Sequence, residues 1–154
     1  IMDDKRKFEI GIPCDSEGFY LLQCTLCGDL FKLKPDDIED DSVFEIHCPA
    51  CGLVSENYIT DDVIELAVIM GGNYLEDLMT KEFKKLERDT KNSILKFKVT
   101  GSSNKEKEHP IKLTVEALER TKYYCCNKEA KIKPILKMCG SYCPFCGEKE
   151  YGTE

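Results

Sequence analysis

Three pairs of cysteines in this chain share one local frame: Cys24-Thr25-Leu26-Cys27-Gly28, Cys48-Pro49-Ala50-Cys51-Gly52 and Cys143-Pro144-Phe145-Cys146-Gly147. A C-x2-C turn closes so that both sulfurs point at one centre, and thiolates so arranged bind zinc or iron. The glycine after each second cysteine permits a backbone conformation in which amide N–H groups face the sulfurs. Four free core cysteines would give no reason for a glycine after both pairs. The first two turns, with 20 residues between Cys27 and Cys48, supply a full tetrahedral set: Cys24, Cys27, Cys48 and Cys51. That spacing is the signature of a zinc site.

Cys143 and Cys146 need two further ligands, because a structural zinc site takes four. The candidates are Cys125, Cys126 and Cys139. In a strand feeding the knuckle, Cys139 would lie about 13 Å from Cys143 at ~3.3 Å per residue, unless Gly140 folds it back. Adjacent cysteines point to opposite sides of a regular strand, so Cys125 and Cys126 ligate together only where the chain turns. The expected second set is Cys125, Cys126, Cys143 and Cys146, with Cys139 in reserve. The competing reading makes one of the adjacent pair a buried apolar thiol. Cys14 has no partner in sequence and is expected to be a free thiol. His47 should turn its ring away from the metal, and His109, before Pro110, should sit in an exposed loop. Neither histidine lies in an H-E-x-x-H or deaminase frame, and no nucleophile elbow, P-loop or dinucleotide fingerprint is present. Catalytic zinc keeps an open position whereas four cysteines close the site, so a non-enzymatic protein is expected.

Around these ligands the chain offers short strands. Phe19 to Gln23 leads into the first knuckle and Leu30 to Leu33 leaves it; after a polar loop, Val43 to Ile46 rises into the second, where Pro49 stiffens the turn, and Leu53 to Ser55 departs. A sheet this small cannot bury its own core and must be held by metal. On these residues, 19–58 resemble the zinc-ribbon superfamily, and CTLCG with CPACG is also similar to the paired knuckles of rubredoxin-like domains. The zinc-ribbon resemblance implies fold and zinc far more than task, since such ribbons serve transcription factors, polymerase subunits, ribosomal proteins and protein adapters. The rubredoxin-like resemblance implies iron at Cys24, Cys27, Cys48 and Cys51, and electron transfer.

A helical middle is expected from Thr60, with Asp61 and Asp62 at a helix N-terminus and Val63, Ile64, Ala67 and Val68 at helical spacing. Gly71-Gly72 should interrupt it. Asn73 to Glu76 then resembles a capping box for a second helix carrying Leu75, Leu78, Met79, Phe83 and Leu86, a stripe suited to a core or a dimer seam. Gly-Gly without a phosphate-binding framework is no cofactor cradle. The opposite face carries Lys81, Lys84, Lys85, Arg88 and Lys91 among Glu82, Glu87 and Asp89, the mixture of a solvated helix. An alternating strand is expected over Ser93 to Val99, with Leu95, Phe97 and Val99 inward. A short helix or strand over Ile111 to Lys122 then leads to Tyr123-Tyr124-Cys125-Cys126. The expected fold class is α+β: an N-terminal zinc ribbon at 1–59, a helical connector with a strand at 60–100, a polar linker at 101–110 and a degenerate ribbon at 111–154.

Charge divides the 154 residues unevenly. Residues 1–65 carry 5 Lys and Arg against 16 Asp and Glu, whereas 66–154 carry 17 against 13, within a net charge of −7. Asp36, Asp37, Glu39, Asp40 and Asp41 share one loop and would repel a phosphate backbone. No apolar run reaches the ~18 residues of a membrane span, and IMDDKRKFEI lacks the apolar core of a signal peptide. Six of the ten cysteines lie in C-x2-C pairs, which suit metal better than a disulfide framework and favour a reducing compartment, most simply the cytoplasm. The expectation is a zinc-stapled adapter with two Zn2+ and a protein partner, with homo-oligomerisation through the apolar stripe as a further option. The alternative is a nucleic-acid-binding regulator using Lys81, Lys84, Lys85, Arg88, Lys96, Lys98, Lys131 and Lys133, with Tyr123 and Tyr124 for stacking.

Overall fold

The structure, a computed structural model, describes residues 7–94, 98–111 and 117–152. The chain is α+β, with small antiparallel sheets and one long helix, and it divides into two compact units. Residues 1–63 and 111–154 form the first, and 64–110 form the second.

In the first unit, β1 (Tyr20–Gln23) and β2 (Leu30–Leu33) pair antiparallel around the first knuckle, from Tyr20↔Leu33 to Gln23↔Leu30. β3 (Glu119–Tyr123) and β4 (Lys128–Ile132) form a matching hairpin around Cys125 and Cys126. The hairpins join through β2 and β4 at Lys32↔Lys131, giving a four-stranded sheet of order β1-β2-β4-β3. Each end of the chain thus contributes two strands.

The two halves are built alike. Each inner strand runs into Lys-x-Lys-Pro, Lys32-Leu33-Lys34-Pro35 in one and Lys131-Ile132-Lys133-Pro134 in the other, about 100 residues apart. A short helix follows each proline: α1 (Pro35–Ile38) and α3 (Pro134–Cys139), with Lys34 and Lys133 extended at the N-caps. Proline suits this place because its fixed φ matches the helix and its missing N–H is not needed there. Each half then returns to a C-P-x-C-G knuckle, so the two halves run through the same order of elements on either side of the Lys32↔Lys131 pair.

Alternation along the strands decides the core. Leu22, Phe31 and Leu33 from one half meet Tyr123, Ala130, Ile132 and Phe145 from the other. Lys32 and Lys131 therefore face the other side, directly opposite each other, with side chains only 8% and 12% exposed. Asp15 answers both. Its Oδ2 accepts from Lys131 Nζ at 2.8 Å and Lys32 Nζ at 3.3 Å, while Oδ1 accepts the backbone N–H groups of Glu17 and Phe19 at 3.0 Å. Burial works to raise the Asp15 carboxyl, but Lys131, these N–H groups and Lys32 outweigh it and hold it well below the ordinary carboxylate range. Phe19, fully buried, completes the strap, with the Lys34 and Lys131 ammonium groups each 4.9 Å from its ring centroid.

The third knuckle is flanked by β5 (Ser141–Tyr142) and β6 (Lys149–Glu150), paired through Ser141↔Glu150 and Tyr142↔Lys149. Among the described residues the second has a single bridge, His47↔Val54. The strand expected over Val43 to Ile46 does not form, because its backbone groups are taken elsewhere. Val43 N–H donates to Asp40 C=O, and the Tyr58 hydroxyl donates to Ile46 C=O.

Helix α2 (Asp61–Asp89) opens with Asp61 and Asp62 in its first turn and provides most of the second unit. The break expected at Gly71-Gly72 is absent: α2 runs through both glycines without interruption. The residues read as a capping box do other work. Asn73 exchanges two hydrogen bonds with the Glu106 backbone, at 2.9 and 3.0 Å, Glu76 accepts the Asn104 N–H, and Asp77 pairs with Lys105 at 2.7 Å. The segment expected as a linker thus runs back along the helix and supports it where glycine propensity is poorest, at about 1 kcal/mol per glycine. Leu75, Met79 and Leu86 remain exposed. The strand expected over Ser93 to Val99 centres on residues 95–97, including Lys96, which lie outside the described residues, as does much of the element expected over Ile111 to Lys122. Among the described residues no helix is long and apolar enough to cross a membrane.

Candidate metal centres

The first centre is set by the ends of β1 and β2 and by the turn at Cys48. In the first knuckle Gly28 N–H donates to Cys24 C=O at 2.8 Å and Cys24 N–H to Asp29 C=O at 2.9 Å. The second repeats this, Gly52 to Cys48 at 2.8 Å and Cys48 to Leu53 at 3.0 Å, and so does the third, Gly147 to Cys143 at 2.8 Å and Cys143 to Glu148 at 2.7 Å. Each closing glycine has a positive φ, +76°, +72° and +76°, which an L side chain adopts only with strain. The recurrent glycine in the sequence is thereby explained.

These turns bring the Sγ atoms of Cys24, Cys27, Cys48 and Cys51 within 4.8 Å of one another, with Cys24 to Cys51 at 3.9 Å and Cys27 to Cys48 at 3.6 Å. A tetrahedron of ~2.3 Å zinc–sulfur bonds has edges of about 3.8 Å, so the four sulfurs fit such an ion. The contact of the Thr25 and Ser55 hydroxyls ties the two turns together.

The second centre uses Cys125, Cys126, Cys143 and Cys146, again within 4.8 Å of one another, with Cys125 to Cys146 at 3.5 Å. The turn from β3 to β4 closes at Tyr123↔Lys128, two residues tighter than the closure of the first hairpin at Gln23↔Leu30. Asn127 takes the place of the closing glycine with φ +54°, a conformation asparagine tolerates better than most residues. That left-handed step turns the chain between β3 and β4, which is the condition the sequence set for adjacent cysteines to face one centre. Glu150 holds the turn by accepting the Cys125 N–H at 3.0 Å.

Burial and backbone dipoles divide the thiols. Cys24, Cys48 and Cys143 are fully buried. Burial pushes the Cys48, Cys125 and Cys143 thiols up, Cys143 to about 12. At Cys24 burial acts the same way, yet the N–H groups of Cys27 and Leu26 outweigh it and bring the thiol below its ordinary range; Glu148 N–H and neighbouring thiols do likewise at Cys146. A cation at either centre would neutralise thiolates that burial alone disfavours.

Cys139, at the end of α3, and Cys14, near β1, are both exposed and belong to neither group. The His47 ring lies against Gly147, and His109 Nε2 approaches Glu65 at 3.7 Å. Two elements of the nucleic-acid expectation are corrected. Tyr123 is fully buried, its hydroxyl 2.8 Å from that of Ser141, and cannot stack on a base; Tyr124 is exposed. Lys131 and Lys133 pair with Asp15 and Glu17 and with Asp29, so their charge is already answered inside the fold.

Asn127 was within reach of sequence reasoning, since it follows the second cysteine of a knuckle as Gly28 does. Asp15 and Tyr58 gave no such signal. Compared with protein-family models, with curated proteins and with solved structures, the chain matches none.

Proposed function

We propose that this is a non-enzymatic interaction protein whose two four-cysteine centres each hold one structural zinc ion. The reading is carried by one observation: two sets of four sulfurs, each within 4.8 Å of one another, with three of the four cysteine turns closed as hydrogen-bonded knuckles. Among the described residues no imidazole or carboxylate joins either set. Bound zinc would supply a cross-link between distant parts of the chain and no open coordination position for a substrate. Cys24, Cys27, Cys48 and Cys51 would hold one ion, and Cys125, Cys126, Cys143 and Cys146 the other.

The adapter role is supported by what surrounds the first centre. Leu26 inside one knuckle, Leu53 just after the other and Phe44 on the approach are all exposed, Phe44 at 92%. Asp36, Glu39, Asp40, Asp41, Glu45 and Glu56 are exposed in the same unit. A unit that exposes both apolar side chains and carboxylates suits a protein partner with apolar and basic groups better than a polyphosphate.

Purification without added metal, followed by elemental analysis and a visible spectrum, tests the reading. Two zinc per chain and no colour are expected. Coloured iron at the first centre would replace the adapter with an electron carrier, and metal-free chains with intact fold would refute the structural role.

A further inference from the structure

The two C-P-x-C-G knuckles lie against each other through a reciprocal pair of contacts. The residue before the first cysteine is His47 in one and Tyr142 in the other. His47 N–H donates to Pro144 C=O at 2.8 Å, and Tyr142 N–H donates to Pro49 C=O at 2.9 Å. Each accepting carbonyl sits between the two cysteines of the other centre's turn, on a proline that is fully buried. The rings repeat the exchange. A Cβ added to Gly147 would lie 2.7 Å from the His47 ring, and one added to Gly52 would lie 2.8 Å from the Tyr142 ring. Each closing glycine is therefore the seat of the aromatic residue that leads into the opposite knuckle.

We propose that His47 and Tyr142 are positioning residues that couple the two centres, so that loading one with metal raises the affinity of the other. This rests on the reading that both centres take metal. When the turn at Cys48 to Gly52 is set to ligand geometry, the Pro49 carbonyl and the Gly52 surface are fixed, and these hold Tyr142 beside Cys143. When Cys143 to Gly147 is set, Pro144 and Gly147 fix His47 beside Cys48 in the same way. A chain with one centre loaded has already ordered half of the other centre's ligand turns, and the second ion meets a smaller ordering cost. The coupling passes through two backbone hydrogen bonds and two ring contacts, all within one compact unit.

Native mass spectrometry of the metal-free chain given half of its saturating cobalt(II), read beside the cobalt–thiolate absorption, tests the coupling. Two equal independent sites would leave about half of the chains singly loaded, and negative coupling more. The wild-type chain is expected to show chiefly empty and doubly loaded species. In His47→Ala with Tyr142→Ala the singly loaded species should rise toward the independent value. His47→Phe with Tyr142→Phe, which keeps a ring on each glycine, should restore the wild-type pattern, whereas a bulk loss of stability would not be rescued so selectively. Cys143→Ser with Cys146→Ser should weaken cobalt binding at the intact first centre about tenfold, within the ~5–150-fold usual for coupled sites.

A wild-type distribution at the independent value overturns the proposal, as does a first centre unaffected by loss of the second. The wild-type distribution alone decides if a variant fails to fold. Saturation at one cobalt or none would instead refute the two-centre reading, and total stoichiometry separates that outcome from the others.

Discussion

Asp15→Asn isolates the strap that closes the far side of the sheet. The amide keeps an oxygen for the N–H groups of Glu17 and Phe19, but replaces the Oδ2 that accepts from Lys32 and Lys131 with a donor. Two ammonium groups 8% and 12% exposed then face each other across β2 and β4. Breaking a buried ion pair costs about 3–5 kcal/mol, and Glu17 still holds Lys131, so a loss of about 3 kcal/mol is expected. Denaturant unfolding of the metal-loaded protein, followed by circular dichroism, reads this as a lower midpoint at unchanged slope. Because the native carboxyl lies below its ordinary value of 3.8, its contribution is complete above that value, fades progressively as pH falls below it and is gone once pH has passed the depressed native one. The cost should therefore be the same anywhere between about pH 6 and pH 8. Lys32→Met added to Asp15→Asn should recover much of it by removing the stranded charge. A loss under about 1 kcal/mol, or no recovery in the double variant, would refute the assignment of Asp15 as the counter-charge to both lysines.

Gly28→Ala meets nothing within 4 Å and should cost only the left-handed strain of about 1–2 kcal/mol, whereas Gly147→Ala adds a collision with the His47 ring and should cost more; equal midpoints in denaturant would contradict this. Asn127→Gly should raise stability by a few tenths to about 1 kcal/mol, since glycine takes φ +54° freely; a lower midpoint would mean that the asparagine side chain makes a contact of its own. Cys14→Ser and Cys139→Ser should leave metal per chain unchanged by elemental analysis, while Cys143→Ser should remove one equivalent and lower thermal stability; loss of metal in either of the first two would redraw the ligand sets.

The knuckles were legible because their chemistry is local: two sulfurs three residues apart and a glycine at the one position whose φ is positive. For the second group the sequence favoured Cys125 and Cys126 while leaving Cys139 in reserve; the turn at Asn127 brings the adjacent pair to one cluster with Cys143 and Cys146. What stayed hidden depends on partners remote in the chain. Nothing in Asp15 foretells two lysines of opposite hairpins, and nothing in Asn73 to Glu76 distinguishes a helix cap from a grip on residues 104–106. Val43 to Ile46 has the composition of a strand, but Tyr58 and Asp40 take the backbone groups a neighbour would need. The doubled Lys-x-Lys-Pro is a signal the chain carries openly, obscured by unequal loops and a fourth knuckle shortened by two residues.

The sheet order β1-β2-β4-β3 has a consequence for how the protein is made. During synthesis the first centre has all four sulfurs once Cys51 is free of the ribosome, yet the inner edge of β2 at Lys32 must wait for Lys131, about 100 residues further along the chain than Lys32. At ~5–20 residues per second, that edge stands open for about 5–20 s. In a polysome the β4 of a neighbouring chain reaches it on the same terms, with the same register and the same core. Residues 64–110, lying between the two halves, are long enough to serve as the hinge of such an exchange. Densely loaded polysomes should therefore yield a fraction of swapped dimers that sparse ribosome loading avoids, identical to the monomer in metal content and distinct from it only in which chain supplies each half.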